Sequence, residues 1–451
     1  MILKAKHSSF MTRLPQKMTL GFILIISIGT ILLALPIATK GATPTPFIDV
    51  LFTATSATCI TGLTVVNTAA NWSIFGQVVI LAMSEIGALG YMTFAVLLFN
   101  IIRRNLDLST QIMVKESLNL ENLSDVKSVT RYVIQLSALF QLSGAFLFAF
   151  DFIPRYGFGR GIYISIFHSV MSFCNAGFDV FGDSLMGFRN DPYVLIITVI
   201  LIVAGGLGFL VWRDLLLYPY RKHLSLNSKL TLTTTLSLFI VAFVLLFLTE
   251  RNLRILSGDT SFFTRLVNTL FLSVTPRTAG LITLPTDALH PGSIFLIIML
   301  MFVGGTPGST AGGIKTTTFG LLMLQSIAQL KGKKDVTFCK RRFSQANINR
   351  ALLLIFLASM VIVTATLILT QTETIPKDFG LEYVLFEVLS AFGTVGLSLG
   401  LTPHLSVLGK LIIMFLMFIG RVGIFTSMYA LLNRKTKLDL VRYPEENILI
   451  G

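Results

Sequence analysis

Charge is scarce in this sequence: Asp, Glu, Lys and Arg make up 13% of its 451 residues, about half the ~25% of ordinary soluble domains. A chain of this length with so few charges cannot coat a water-soluble surface, which excludes a soluble enzyme or binding domain. Cysteine is also rare. Cys59, Cys174 and Cys339 show neither CxxC nor metal-ligand spacing, and an odd number gives no complete disulfide framework, so three free thiols are expected. The histidines are scattered and no HExxH occurs. Gly396-Leu-Ser-Leu-Gly400 matches GxSxG, but it closes a half-apolar segment instead of joining a strand to a helix, so it is no nucleophile elbow. No enzyme activity and no bound cofactor are expected.

What is abundant is apolar length. Hydrophobic residues reach 53%, and the pattern predicts an all-α integral membrane protein with eight spans at 18–38, 72–101, 129–152, 192–216, 229–249, 293–328, 349–371 and 407–432. The first stretch, Met18 to Pro36, follows Lys4, Lys6, Arg13 and Lys17 in the manner of a signal peptide. It lacks a small-residue cleavage site and is read as a membrane helix. The formal charge of +14 raises a nucleic-acid reading through clusters such as Lys340-Arg-Arg342. Basic residues instead concentrate at the N-terminus, in 101–131, 212–229 and 329–350, and at the C-terminus, alternating with poorly charged connections. That is the positive-inside pattern of a multi-pass cell-membrane protein with both termini in the cytoplasm, and nucleic acid is not expected as a partner.

Four segments on the opposite side, 47–66, 162–181, 264–283 and 382–400, are too short to span and too apolar for solvent loops. They repeat. Each offers about two helical turns, then mostly small residues, then a glycine and a large apolar residue: Gly62-Leu63, Gly177-Phe178, Gly280-Leu281 and Gly396-Leu397. A GxxG beginning at Gly87, Gly205, Gly305 and Gly420 follows these glycines by 25, 28, 25 and 24 residues. One such motif means little in a membrane protein, but four in phase define a unit of helix, re-entrant hairpin and helix. The units are 1–105, 106–222, 223–335 and 336–451.

Irregular backbone at membrane depth must be buried in protein or line water, so the four hairpins are expected to meet around a central path. A short helix aims its negative end there, and the extended residues beyond can offer carbonyl oxygens to a cation. The candidate carbonyls are those of Ile60, Thr61 and Gly62; Asn175, Ala176 and Gly177; Thr278, Ala279 and Gly280; and Thr394, Val395 and Gly396. The other reading of these glycines is close helix packing. Pro307 and the glycines of Gly304-Gly305-Thr306-Pro307-Gly308-Ser309-Thr310-Ala311-Gly312-Gly313 must break the sixth span, whereas the other three GxxG segments read as intact helix. Gly-Gly-Ile-Lys315-Thr316 is no phosphate-binding loop, since no soluble strand precedes it. Arg421 interrupts an apolar span, at ~2.5–3.5 kcal/mol on insertion scales, and needs partners. Carbonyls of the broken helix or the carboxylate of Glu85 are the candidates. Asp179 and Glu387 either attract cations or cap local structure.

Four hairpins in one chain, each with one glycine at the end of its candidate carbonyl segment, resemble the Trk/Ktr/HKT superfamily of potassium transporters, and most closely the bacterial Ktr membrane subunit. Only Thr394-Val395-Gly396 reproduces the Thr-Val-Gly of tetrameric potassium channels; Asn175-Ala176-Gly177 departs most. The resemblance implies a filter made by the twelve carbonyls, a gate made by residues 304–313 with Arg421, and potassium as the transported ion. A serine at the first filter glycine accompanies sodium transport in that superfamily; here the residue is Gly62. The resemblance further implies a homodimer in the lipid bilayer, regulated by a cytosolic nucleotide-binding ring of the RCK type. The competing readings are a sodium-permeable or poorly selective cation transporter and a secondary transporter of a small substrate.

Overall fold

The computed structural model describes residues 14–41, 44–90, 126–250, 261–377 and 379–432. The basic N-terminus, most of the 101–131 loop, the end of the expected second span and the basic C-terminus lie outside the described residues.

Among the described residues, four helices are long and apolar enough to cross a membrane: α1 (Leu14–Leu33), α4 (Val126–Tyr156), α8 (Leu226–Thr249) and α12 (Gln345–Thr372). Each leads to a shorter helix: α2 (Phe47–Cys59), α5 (Phe158–Cys174), α9 (Phe262–Val274) and α13 (Leu381–Gly393). The short helices carry polar residues without leaving them stranded. In α2 the hydroxyls of Thr53, Thr55 and Thr58 donate to Asp49, Leu51 and Ala54 carbonyls at 2.8, 2.8 and 2.9 Å, the usual device for burying threonine in a helix. Phe52, Phe167, Phe271 and Phe386 are fully buried and fix these helices in the core.

A third helix follows in each set: α3 (Ile74–Leu89), α6 (Pro192–Gly206), α10 (Pro291–Phe302) and α14 (Val407–Val422). All four begin at a side-chain cap, since Ser73, Asp191, His290 and Ser406 accept amide hydrogen bonds from Gly76, Tyr193, Gly292 and Gly409. The expectation of unbroken second spans is corrected here. Helix α3 stops before Gly90, α6 meets α7 (Phe209–Arg221) at 97° across Gly208, and α14 gives way at Gly423 to α15 (Ile424–Leu432). The three glycines have φ of 78°, 83° and 95°, with ψ near 135°, a region open essentially to glycine alone. The motif therefore marks a helix end, and sequence periodicity missed it because a helix resumes beyond the glycine after α6 and α14. In the third set the break is longer: α10 and α11 (Thr316–Leu330) are separated by an irregular loop. A two-stranded hairpin, β1 (Thr337–Phe338) with β2 (Arg341–Arg342), precedes α12.

The sets are arranged in a cycle. Helix α3 packs on α5, α6 on α9, α10 on α13, and α14 returns to α2. Lys410 of α14 pairs with Asp49 of α2 at 2.6 Å, with each side chain only 12% exposed, so an ion pair joins the last set to the first. The first glycine of the motif explains the close approach. A Cβ added at Gly87, Gly205 or Gly420 would lie 2.1, 1.9 or 2.0 Å from the carbonyl oxygen of Thr58, Phe173 or Phe392, one residue short of where α2, α5 and α13 end.

Candidate functional site

The backbone turns sharply where the short helices stop. Ile60, Asn175, Thr278 and Thr394 have φ of 59°, 59°, 71° and 51°, and Gly62, Gly177, Gly280 and Gly396 have φ of 85°, 69°, 68° and 92°. Each segment thus reads left-handed residue, one ordinary residue, then positive-φ glycine. Non-glycine residues at positive φ are uncommon, and four at one register of a repeat mark a built feature.

The amides of these segments turn back to their own helices. Thr61, Ala176 and Val395 donate to Ser56, Met171 and Ser390 carbonyls at 2.9, 3.0 and 2.8 Å. Gly62 and Gly396 donate to the hydroxyls of Ser56 and Ser390, both at 3.1 Å. With the donors tied back, the carbonyls face the other way. Among the described residues, none of the twelve candidate carbonyls accepts a hydrogen bond from the protein. Leaving a buried polar group unpaired costs about 1–3 kcal/mol, so a concentration of them in one place calls for a partner from outside the protein.

The four segments meet. A Cβ on Gly62 would lie 2.6 Å from the Ala176 oxygen, one on Gly177 3.4 Å from that of Ala279, one on Gly280 2.5 Å from that of Val395, and one on Gly396 2.3 Å from that of Thr61. Each glycine faces the central carbonyl of the next segment, and the fourth closes on the first. The bland reading, glycines used only for helix packing, does not account for a closed ring of non-helical backbone.

The irregular loop between α10 and α11 runs against this ring. A Cβ on Gly312 would lie 2.2 Å from Thr394 Oγ1, and the Asn175 side-chain amide donates to Thr310 Oγ1 at 3.3 Å. The loop is held by backbone bonds: Thr306 and Thr310 amides to Gly206 and Gly205 carbonyls, both at 3.2 Å, and the Phe209 amide to the Gly308 carbonyl at 2.9 Å. Its ends are zipped by the Gly304 amide on the Ile314 carbonyl at 2.9 Å. Arg421 donates to the Thr310 carbonyl of the loop and to the carbonyls of Gly87 and Ala88, at 2.5 and 3.1 Å. The partner is therefore backbone. Glu85, the alternative expected, instead accepts from Gln141 Nε2 at 2.8 Å and Cys174 Sγ at 3.0 Å.

Asp179 and Glu387 serve local structure. Asp179 Oδ1 accepts from the amides of Phe181 and Gly182 at 2.8 and 2.6 Å, and Glu387 accepts from the hydroxyls of Ser398, at 2.7 Å, and Thr402. Sequence reasoning overlooked side-chain oxygens: Asn175 Oδ1, Thr278 Oγ1 and Thr394 Oγ1 are buried without partners at the same register of three segments. It also overlooked Arg277, 5% exposed, whose Nη2 donates to the Gly304 carbonyl at 3.0 Å, and Lys315, whose Nζ donates to the Ala311 carbonyl at 2.8 Å. A basic residue directly before a candidate segment was the available signal for the first.

Apolar helices cyclically packed around converging backbone carbonyls define a multi-pass membrane protein that handles cations. Residues 4–436 match the TrkH family, described as cation transport protein, and the chain belongs to that family. It is 46% identical over 438 residues to the potassium/sodium uptake protein NtpJ of Enterococcus hirae, covering 97% of each chain. It is 38% identical to the Ktr system potassium uptake protein B of Bacillus subtilis, covering 97% of this chain and 96% of the relative. The fold is similar to that of the potassium transporter TrkH from Vibrio parahaemolyticus, with a TM-score of 0.69 at 20% identity, over 90% of this chain and 84% of that one.

Proposed function

We propose that this chain is the ion-conducting subunit of a potassium uptake system. The observation that carries the reading is the closed ring of four segments whose carbonyls lack protein partners. In a bilayer, such carbonyls replace the hydration shell of a weakly held monovalent cation. Ile60 to Gly62, Asn175 to Gly177, Thr278 to Gly280 and Thr394 to Gly396 supply the ligands. The unpaired oxygens of Asn175, Thr278 and Thr394 extend the site at the end of the path nearer the loop. The names of the two relatives, one a potassium/sodium and one a potassium uptake protein, agree with this substrate class.

Each set of helices is one helix, hairpin and helix unit, and the four units make eight crossings. Both termini lie in the cytoplasm. The loop at 304–313 and Arg421 form the gate. The exposed Lys331, Lys333, Lys334, Lys340, Arg341 and Arg342 crowd one connection and its small hairpin, a surface suited to the cytosolic RCK-type ring that the family resemblance implies. The chain acts there as a homodimer. A second reading, a pore that also passes sodium, is favoured by the potassium/sodium name of the first relative and by the departure of Asn175-Ala176-Gly177 from its siblings.

Uptake of labelled rubidium into proteoliposomes is the test. We expect external potassium to compete with rubidium and sodium to compete weakly. Equal competition by sodium establishes the second reading, and flux that requires an organic substrate on the opposite side overturns both.

A further inference from the structure

We propose that Arg277 is a positioning residue that fixes the third filter segment by bracing it against the start of the intramembrane loop, so that ion discrimination depends on it. The inference rests on the filter reading above. Arg277 directly precedes Thr278, and the residues in the same register of the other segments are Cys59, Cys174 and Gly393, all small. A long cation there is unique to the unit that also carries the long loop. Its guanidinium lies 4.7 Å from the centre of the Phe239 ring of α8 and donates to the Gly304 carbonyl at 3.0 Å. Nε and Nη1 have no hydrogen-bond partner, and no carboxylate among the described residues pairs with the side chain. One carbonyl and one ring therefore hold a buried charge, and moving either strands it in an apolar interior.

Gly304 is the fixed end of the loop. Its amide is bonded to Ile314, and a Cβ there would lie 2.0 Å from the Gly312 oxygen. The third segment is tied back differently from the others. Its helix ends early at Val274, and the segment leans on a Thr275 hydroxyl bond to the Leu281 carbonyl at 2.5 Å and an Ala279 amide bond to the Thr275 carbonyl at 3.1 Å. Arg421 touches the loop at Thr310 and the first unit at Gly87 and Ala88, but no filter residue. The two arginines thus have separable duties: Arg421 restrains the loop, and Arg277 uses the loop's anchored end to hold the filter.

The experiment compares Arg277→Met, Arg277→Lys, Phe239→Leu and wild type as purified full-length protein in liposomes, reading the potassium-to-sodium permeability ratio from bi-ionic reversal potentials. We expect the ratio to fall at least fivefold in Arg277→Met and less in Arg277→Lys, which keeps the charge but shortens the reach. Phe239→Leu is expected to move the ratio in the same direction. A wild-type ratio in Arg277→Met protein that elutes as a single species overturns the proposal. Where Arg277→Met does not fold, wild-type ratios in both Arg277→Lys and Phe239→Leu overturn it equally. Failure of the filter reading itself is distinguishable, because wild type would then show no potassium preference to lose.

Discussion

Deleting Gly305 to Ala311, or replacing Arg421 by Ala, is expected to raise rubidium uptake by the chain alone roughly tenfold, with its potassium preference retained. The argument starts from the hydrogen bonds. Arg421 joins the Thr310 carbonyl of the loop to the Gly87 and Ala88 carbonyls of the first unit, all buried. A hydrogen bond to a charged group is worth about 1.5–3 kcal/mol, and ~1.4 kcal/mol is tenfold in an equilibrium. Losing the loop-side bond alone therefore shifts the balance between a loop seated under the ring and one withdrawn from it by about an order of magnitude or more. The deletion removes the seated loop outright but keeps Gly304, and with it the brace for Arg277. Selectivity survives in both variants because the filter carbonyls are untouched. Uptake should also depend less on the cytosolic partner. If both variants fold normally and conduct no faster than wild type, the loop is a packing kink and the gate lies elsewhere.

Gly62→Ser is expected to lower the discrimination of potassium over sodium by roughly tenfold, and to lower stability as well. Two physical costs coincide at this position. Its φ of 85° is one that a residue with a Cβ adopts only at about 1–3 kcal/mol. The added Cβ would also lie 2.6 Å from the Ala176 oxygen and 2.7 Å from Gly177 Cα, so the second segment must move. Displacing that carbonyl changes the spacing of the ligand set, and the new hydroxyl offers an oxygen at a different radius. A differential change of ~1.4 kcal/mol between the two ions is enough for tenfold. Reversal potentials give the selectivity, and a thermal shift of the purified protein gives the stability. An unchanged permeability ratio in folded Gly62→Ser protein would remove this glycine from the ion path.

The parts of the molecule that repeat were the parts legible in the sequence. The four short helices begin within four residues of the expected segments, because four copies hold one another in register, but they run 13 to 17 residues and not the two turns expected. The positive-φ residues and glycines that follow these helices fall at the same register of each repeat. Breaks in helices were harder to see. At Gly90, Gly208 and Gly423 a positive-φ glycine ends a helix, and a hydrophobic pattern continues beyond two of them, so periodicity reports one span where there are two pieces. The loop at 304–313 was visible because Pro307 and a crowd of glycines forbid a helix outright. Partners across the sets were legible only as types. Arg421 announced a need for acceptors, and backbone carbonyls and Glu85 were equal candidates until the packing of α3 against the loop brought Gly87 and Thr310 together. Arg277 carried no periodic signal, since its role depends on the single unit in which it stands.

The central claim is that four backbone segments together bind the transported ion. Anomalous scattering from crystals grown with rubidium in place of potassium tests it most directly. The account predicts rubidium density on the axis of the ring, within coordination distance of the carbonyls of Thr61, Ala176, Ala279 and Val395 or of the neighbouring filter carbonyls, and its loss when rubidium is exchanged for lithium. Rubidium density confined to sites away from the four glycines, in protein that still takes up rubidium, would contradict it.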